Sequence, residues 1–318
     1  MNDDMLLLAT AHGFVTLARD GGGWREALRS LEKQQVTSVI AREGVILAGT
    51  TDGVFRSDDL GHSWRAASAG LAHRHVRWMA YHPDISDFEF VGTEPAAIFI
   101  SRDGAESWYE CPDVAQLRER YRWSMPYSPE AGCVRGFAFH GQRAYAAVEV
   151  GGVLRSDDGG ISWRMSSDVG YREPLVNPDI HSIATHPASP DLVFAPTAGG
   201  FYRSSDGGAS WSRRFICYCR AAWIDPVDPN HIILGPADSV DRNGRIERSH
   251  DGGHTWAAAS SGVDVPWRRH MVERFVAAGD DLLAVLSNGE LLSAPLATLA
   301  WRRILPADAG VAAATTMG

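Results

Sequence analysis

An all-β chain folded as one seven-bladed β-propeller, each blade a four-stranded antiparallel sheet, is what this sequence predicts. Three observations predict it. One eight-residue segment recurs along the whole length, its tryptophan comes back at a nearly constant interval, and short strand-like runs separated by turn residues fill each interval while long helical patterns are almost absent.

The recurring segment is clearest at Ser156 to Trp163, SDDGGISW. Close copies end at Trp64, Trp108, Trp211 and Trp256, and all fit Ser-x-Asp-x-Gly-x-x-Trp except the second, which has Ala105 where glycine is expected. Weaker copies end at Trp24, with its aspartate displaced by one position, and at Trp301, with one residue too many. Successive tryptophans are 40, 44, 55, 48, 45 and 45 residues apart, so seven repeats account for the chain and predict a single domain over 1–318. A period near 45 residues with regularly spaced strands is that of four-stranded propeller blades.

The residue types explain the recurrence. An aspartate at a tight turn accepts bonds from nearby backbone N–H groups, glycine permits positive φ, and serine adds a second local bond. Such a box makes a reliable hairpin, and its tryptophan is large enough to fill the gap between packed sheets. One carboxylate per turn is too few for a calcium site.

Taken in order, each repeat reads as strands A to D. In the fifth these are Ile180 to Thr185, Leu192 to Ala195, Phe201 to Arg203 and the segment around Trp211. The first repeat opens on Met5 to Ala9, which matches a B strand, and Val311 to Thr316 matches an A strand. The C-terminal strand is therefore expected to complete the N-terminal blade, closing the ring and removing two exposed sheet edges. The 55-residue step holds an insertion at 109–132, with a short helical patch from Val114 to Tyr121 followed by Trp123, Met125 and Tyr127. Aromatic residues on a long loop cap a pocket, contact a partner or plug their own blade.

Composition fits a soluble globular protein, 45% hydrophobic and 22% charged, with a net charge of −9 and no basic run. A nucleic-acid partner is not expected. The N-terminus lacks a basic segment ahead of its short apolar run, which predicts neither export nor membrane insertion. Cys111, Cys133, Cys217 and Cys219 show no disulfide framework, and a cytoplasmic location is the simplest expectation.

With these boxes the chain resembles the Asp-box (BNR) repeat β-propellers, over all seven repeats. Residues 147–160, AVEVGGVLRSDDGG, are most similar to bacterial propellers labelled glycosyl hydrolase, BNR repeat. The resemblance implies architecture and leaves activity open, since similar boxes occur in sialidases, xyloglucan-cleaving hydrolases, sortilin-type receptors and the photosystem II assembly factor. Sialidases have six blades and an Arg-Ile-Pro segment near the N-terminus; seven repeats without Arg-Ile-Pro argue against a true sialidase.

If the boxes are C-to-D turns, the opposite face collects the B-to-C turns, with His12, Asp52, Glu94, Glu149, Thr197, Asp238 and Asn288, and the D-to-A connections. Aligning the A strands on their second residue gives Thr37, Arg77, Arg135, His181, Arg220, Glu273 and Ala312, a polar series expected to ring the channel mouth. Arg77, Arg135 and Arg220 suit a carboxylate, sulfate or phosphate, because a guanidinium offers bidentate bonds and keeps its charge. The bland reading is a water-filled channel whose arginines pair with Glu149 or Glu273. His181 is the candidate general base, with Glu149 or Glu273 as second acid or base, whereas His82, His140 and His186 read as turn or packing residues. Tyr218, Trp123 and His75 are candidate ligand contacts; Tyr171, Trp267 and Arg268 extend the rim. Cys217 with Cys219, or His73 with His75, would be the donors for a transition metal, but neither pair has a recognised metal-site spacing, so no metal or cofactor is assigned.

Two function classes follow. One is a hydrolase or lyase acting on a small anionic or sugar-derived molecule at the channel mouth. The other is a non-catalytic propeller that grips a protein partner on the loop-rich face.

Overall fold

The computed structural model describes residues 2–21, 23–125, 132–166 and 178–317. The expected Tyr127 and Tyr171 contacts lie outside these. Seven four-stranded antiparallel sheets follow one another along the chain. Six are built from consecutive strands; the seventh sets Val311–Met317 beside Asn2–Thr10, then Gly13–Asp20 and Gly23–Ser30. The closing pair is antiparallel, with Leu7 opposite Thr315 and Leu8 opposite Ala314. The C-terminal strand thus takes the inner position of the N-terminal blade, as the repeat pattern predicts. Among the described residues no helix is long and apolar enough to cross a membrane.

The B strands carry the core. Leu6 to Leu8, Ala146 to Val148, Ile232 to Leu234 and Leu282 to Val285 are fully buried. A blade's second strand has a neighbouring blade against each face, so its apolar residues run continuously instead of alternating.

The Ser-x-Asp-x-Gly-x-x-Trp turns repeat one bonding scheme. In the fourth blade Ser156 Oγ donates to Asp158 Oδ1 at 2.7 Å and accepts from Gly160 N at 2.8 Å, and Asp158 Oδ1 accepts from Ser162 N at 3.0 Å. The indole N–H of Trp163 then donates to the Gly160 carbonyl at 2.9 Å. These bonds consume the aspartate locally and leave it no part in ligand chemistry. Gly160 has φ +93°, and a Cβ there would lie 2.4 Å from the Phe90 ring. Gly160→Ala is therefore expected to destabilise by about 2–4 kcal/mol, from left-handed strain plus overpacking. Gly141→Ala, at φ +55° but in open space, should cost only about 1 kcal/mol. Urea midpoints at unchanged slope would check the pair.

One irregularity positions the site. The A–B pairing slips once near the start of the inner strand, between Val36 and Ser38, Val76 and Trp78, Val134 and Gly136, Cys219 and Ala222, and Val272 and Arg274. The residues left out of register are Thr37, Arg77, Arg135, Arg220 with Ala221, and Glu273. All of them but Ala221 belong to the polar series aligned from sequence. A bulge sets two residues against one and breaks strict alternation, so consecutive side chains at these points can both turn to the channel. In the fifth blade the inner strand is reduced to Ala184–His186, and His181 lies ahead of it, beside an isolated Ile180–Thr197 bridge.

The insertion forms a helix, Pro112–Tyr121, with proline in its first turn and Arg122 closing it in the left-handed region. Asp113 accepts a bond from the Trp163 backbone at 3.0 Å, and Arg118 donates to the Ala96 carbonyl at 2.7 Å. Of the two expectations for Trp123, ligand contact or plug, its packing matches the plug: it is 5% exposed and packs with Val114, Val148 and Ala96. The indole gains more by burial between two blades than by standing in solvent, so it plugs its own insertion.

Candidate functional site

The bulged starts of the inner strands surround a cavity of about 400 Å³, lined by Thr37, Arg77, Arg135, Arg220, Glu273 and Arg274, with Asp241, Ser287 and Asn288 on its rim. A second cavity of about 300 Å³ lies further along the same strands, lined by Trp78, Phe137, Ile183, Ala222, Phe275 and Val276. Arg220, Glu273 and Arg274 border both. A layer of charge therefore separates a polar mouth from a mainly apolar chamber.

Most of that charge is paired. Glu273 bridges two blades: one oxygen takes a close bond from Arg135 Nη2, and the other accepts from Arg220 Nη1 at 2.8 Å. Arg135 Nη1 also donates to Glu149 Oε2 at 3.0 Å, where the Cys133 thiol donates at 3.2 Å. Arg77 pairs with Glu94 at 3.2 Å, and His75 lies 3.8 Å from the same oxygen. Burial pushes the Glu273 carboxyl up, but Arg135 and then Arg220 more than reverse this and hold it well below the usual carboxylate range. Glu149 is likewise lowered, burial being outweighed by Arg135 and the Cys133 bond. Both acids are thereby held ionised.

Arg274 is different. Its guanidinium stacks 3.6 Å from the Trp78 ring centroid and donates from Nη2 to the Arg135 carbonyl at 3.1 Å. Among the described residues no carboxylate lies within 4 Å of it. Burial, followed by Arg135, pushes it down to about 9, still charged at neutral pH. A half-buried cation whose attraction to Glu273 acts from beyond ion-pair distance is incompletely compensated. An anion in either cavity would complete the compensation.

The structure brings Arg77, Arg135, Arg220 and Glu273 to one cavity, while His181, Glu149, Tyr218, His75 and Trp123 stand outside its lining. The His181 side chain is buried beside the layer: Nδ1 donates to the Cys219 carbonyl at 2.9 Å, which leaves Nε2 facing Tyr218 Oη and Asp179 Oδ1, each at 3.2 Å. Because a carbonyl only accepts, Nδ1 carries a hydrogen in this bond. Tyr218 also accepts from Arg220 at 3.5 Å, and burial raises its phenol. Donor atoms of Glu149, Asp179 and His181 lie within 4.8 Å of one another, and they form the one grouping of three potential metal-ligating side chains among the described residues. Neither Cys217 with Cys219 nor His73 with His75 belongs to such a group. All four cysteines are unpaired thiols, and Trp267 stacks on His270 away from the mouth. His82 and His186 accept bonds from Asp84 N and Ala188 N, turning the chain at their strand ends.

Sequence reasoning did not single out Arg274, Asp179 or Asp241. Strict alternation points residue 274 away from residue 273, and only the bulge, which has no marker in the strand's composition, turns both to the channel.

No protein-family model and no curated protein sequence matches the chain. Solved structures do. An ancestral GH74 enzyme superposes with a TM-score of 0.63 at 19% identity over 82% of this chain, which spans 36% of that enzyme. YCF48 bound to D1 peptide superposes with a TM-score of 0.62 at 14% identity, covering 89% of this chain and 85% of that one. YCF48 from Cyanidioschyzon merolae gives 0.58 at 13% identity, over 93% and 97%. The similarity is one of fold.

Proposed function

We propose that this chain is a ligand-binding propeller whose site is the arginine layer of the channel, taking a small molecule through an anionic group. The carrying observation is Arg274, a cation with no carboxylate within ion-pair distance among the described residues, attracted by Glu273 only from further off and bordering two cavities. Arg77 lines the mouth with it, Arg220 borders both cavities as Arg274 does, and Arg135, saturated by Glu149 and Glu273, supports the layer. Carboxylate, sulfate or phosphate matches the guanidinium fork.

Binding is favoured over catalysis because Glu273 and Glu149 are held ionised by arginines and are poorly suited to donate a proton. The hydrolase or lyase reading keeps one supporting feature, the Tyr218–His181–Asp179 chain beside Glu149. The protein-partner reading is supported by the neighbour bound to a peptide; a peptide's terminal carboxylate would meet the same arginines, and amidating it would abolish such binding.

Thermal unfolding in sulfate, phosphate, pyruvate and glucuronate at fixed ionic strength tests the proposal. At least one anion should raise the midpoint by about 4 °C or more at a hundredfold excess over Kd, and Arg77→Ala with Arg220→Ala should remove the shift. A panel without any shift would overturn the reading.

A further inference from the structure

The anionic group leaves open which side of the arginine layer holds the rest of the ligand. The mouth side is lined by charge of both signs, Arg77, Arg135, Arg220 and Arg274 with Glu273 and Asp241. Asp241 stands on its rim, 3.6 Å from Arg220 and bonded to Ser287 Oγ at 2.5 Å, so a second carboxylate there meets a negative neighbour. The other side has the opposite character. Beyond the layer the inner strands turn from charged to apolar within a few residues: Arg77 is followed by Trp78, Arg135 by Gly136 and Phe137, Arg220 by Ala221 and Ala222, Glu273 and Arg274 by Phe275 and Val276.

Three aromatic side chains, Trp78, Phe137 and Phe275, thus line a space of about 300 Å³ whose charged wall is Arg220, Glu273 and Arg274. All three are only partly buried, so apolar surface remains for a ligand to cover. The volume stands at the lower end of small-molecule sites, which run from about 300 to 1,000 Å³. Small residues, Gly136, Ala184 and Ala222, leave the room, and Ala184 and Ala222 also pack against the core formed with Phe194 and Leu234.

Resting on the reading that an anion pairs with Arg274, we propose that the ligand is an amphipathic carboxylate, an arylalkanoic acid, with its carboxylate on Arg274 and its aromatic ring in the chamber formed by Trp78, Phe137 and Phe275. The polarity gradient selects it. A guanidinium held by Trp78 on one side and the Arg135 carbonyl on another presents its remaining N–H groups to a carboxylate, while the ring beyond gains the hydrophobic term that a sugar acid or inorganic anion cannot.

Calorimetric titration of the full chain at pH 7 with acetate, 3-phenylpropionate and the neutral 3-phenylpropanol tests this. The expected result is 3-phenylpropionate binding at least about 30-fold tighter than acetate, no measurable binding of 3-phenylpropanol, and loss of most of the 30-fold gain in Ala222→Leu, with Ala184→Leu as the second chamber-filling variant should the first fail to fold. Acetate and 3-phenylpropionate binding equally would overturn the chamber and leave the anion reading standing. Alcohol and acid binding equally would overturn the anion reading itself, and no binding of any of the three would overturn both. An undiminished gain in a folded chamber-filling variant would move the ring elsewhere and overturn the placement.

Discussion

Deletion of residues 311–318 is expected to leave a chain that no longer unfolds cooperatively at the wild-type midpoint, with a loss of about 5 kcal/mol or more. Val311–Met317 is the inner strand of the N-terminal blade and pairs with the strand Asn2–Thr10, which is buried from Leu6 to Thr10. Removing it strips the ladder from Leu6 to Thr10, exposes Leu7 and Ala9, which pack with Ala313, and opens the ring at an apolar edge. Supplying the strand as a separate peptide should restore part of the loss by mass action. A truncated chain that melted like the full one would show that pairing at this seam contributes little. Guanidinium unfolding followed by tryptophan fluorescence measures both.

The second large effect is expected at Glu273. This carboxylate neutralises Arg135 and Arg220 together. Glu273→Gln keeps the shape but leaves Arg135 with Glu149 alone and Arg220 with the more distant Asp241, and a cost of about 3 kcal/mol at pH 7 follows. The pH dependence carries the signature. Glu273 has a folded-state pKa below its unfolded value, since Arg135 and Arg220 outweigh the upward push of burial. Its stabilisation is fully present above about pH 4.3, the unfolded value, and is lost as pH falls below that toward the folded value. Wild type should therefore lose its lead over Glu273→Gln progressively below about pH 4.3. A constant gap down to pH 3 would contradict the ion-pair account.

Much of the fold was legible in the sequence because its determinants are local. Ser156, Asp158 and Gly160 bond to one another within a single turn, so the box is visible as text and predicts a hairpin wherever it occurs. Strand closure was legible too, through the mismatch between a chain opening on a B-like run and ending on an A-like one. The site was legible only in part. Aligning the inner strands located Arg77, Arg135, Arg220 and Glu273, since equivalent positions in a ring converge. The same alignment included His181, which the irregular fifth inner strand withdraws from the cavity into a bond with the Cys219 carbonyl. Trp123, by sequence a candidate ligand contact or a plug of its own blade, is the plug, and its burial depends on a neighbouring blade remote from any sequence pattern. Arg274 was missed for a backbone reason, the bulge opposite Val285 and Leu286.

The central claim is that Arg274 is kept at a cost to stability in order to hold an anion. Arg274→Met tests it directly, since methionine keeps a flexible side chain against Trp78 and removes the charge. Urea unfolding of both proteins, with and without the most stabilising anion of the panel, should find the variant about 1–3 kcal/mol more stable in its absence, with the anion stabilising wild type alone. A variant that is less stable than wild type and responds equally to the anion would contradict the claim.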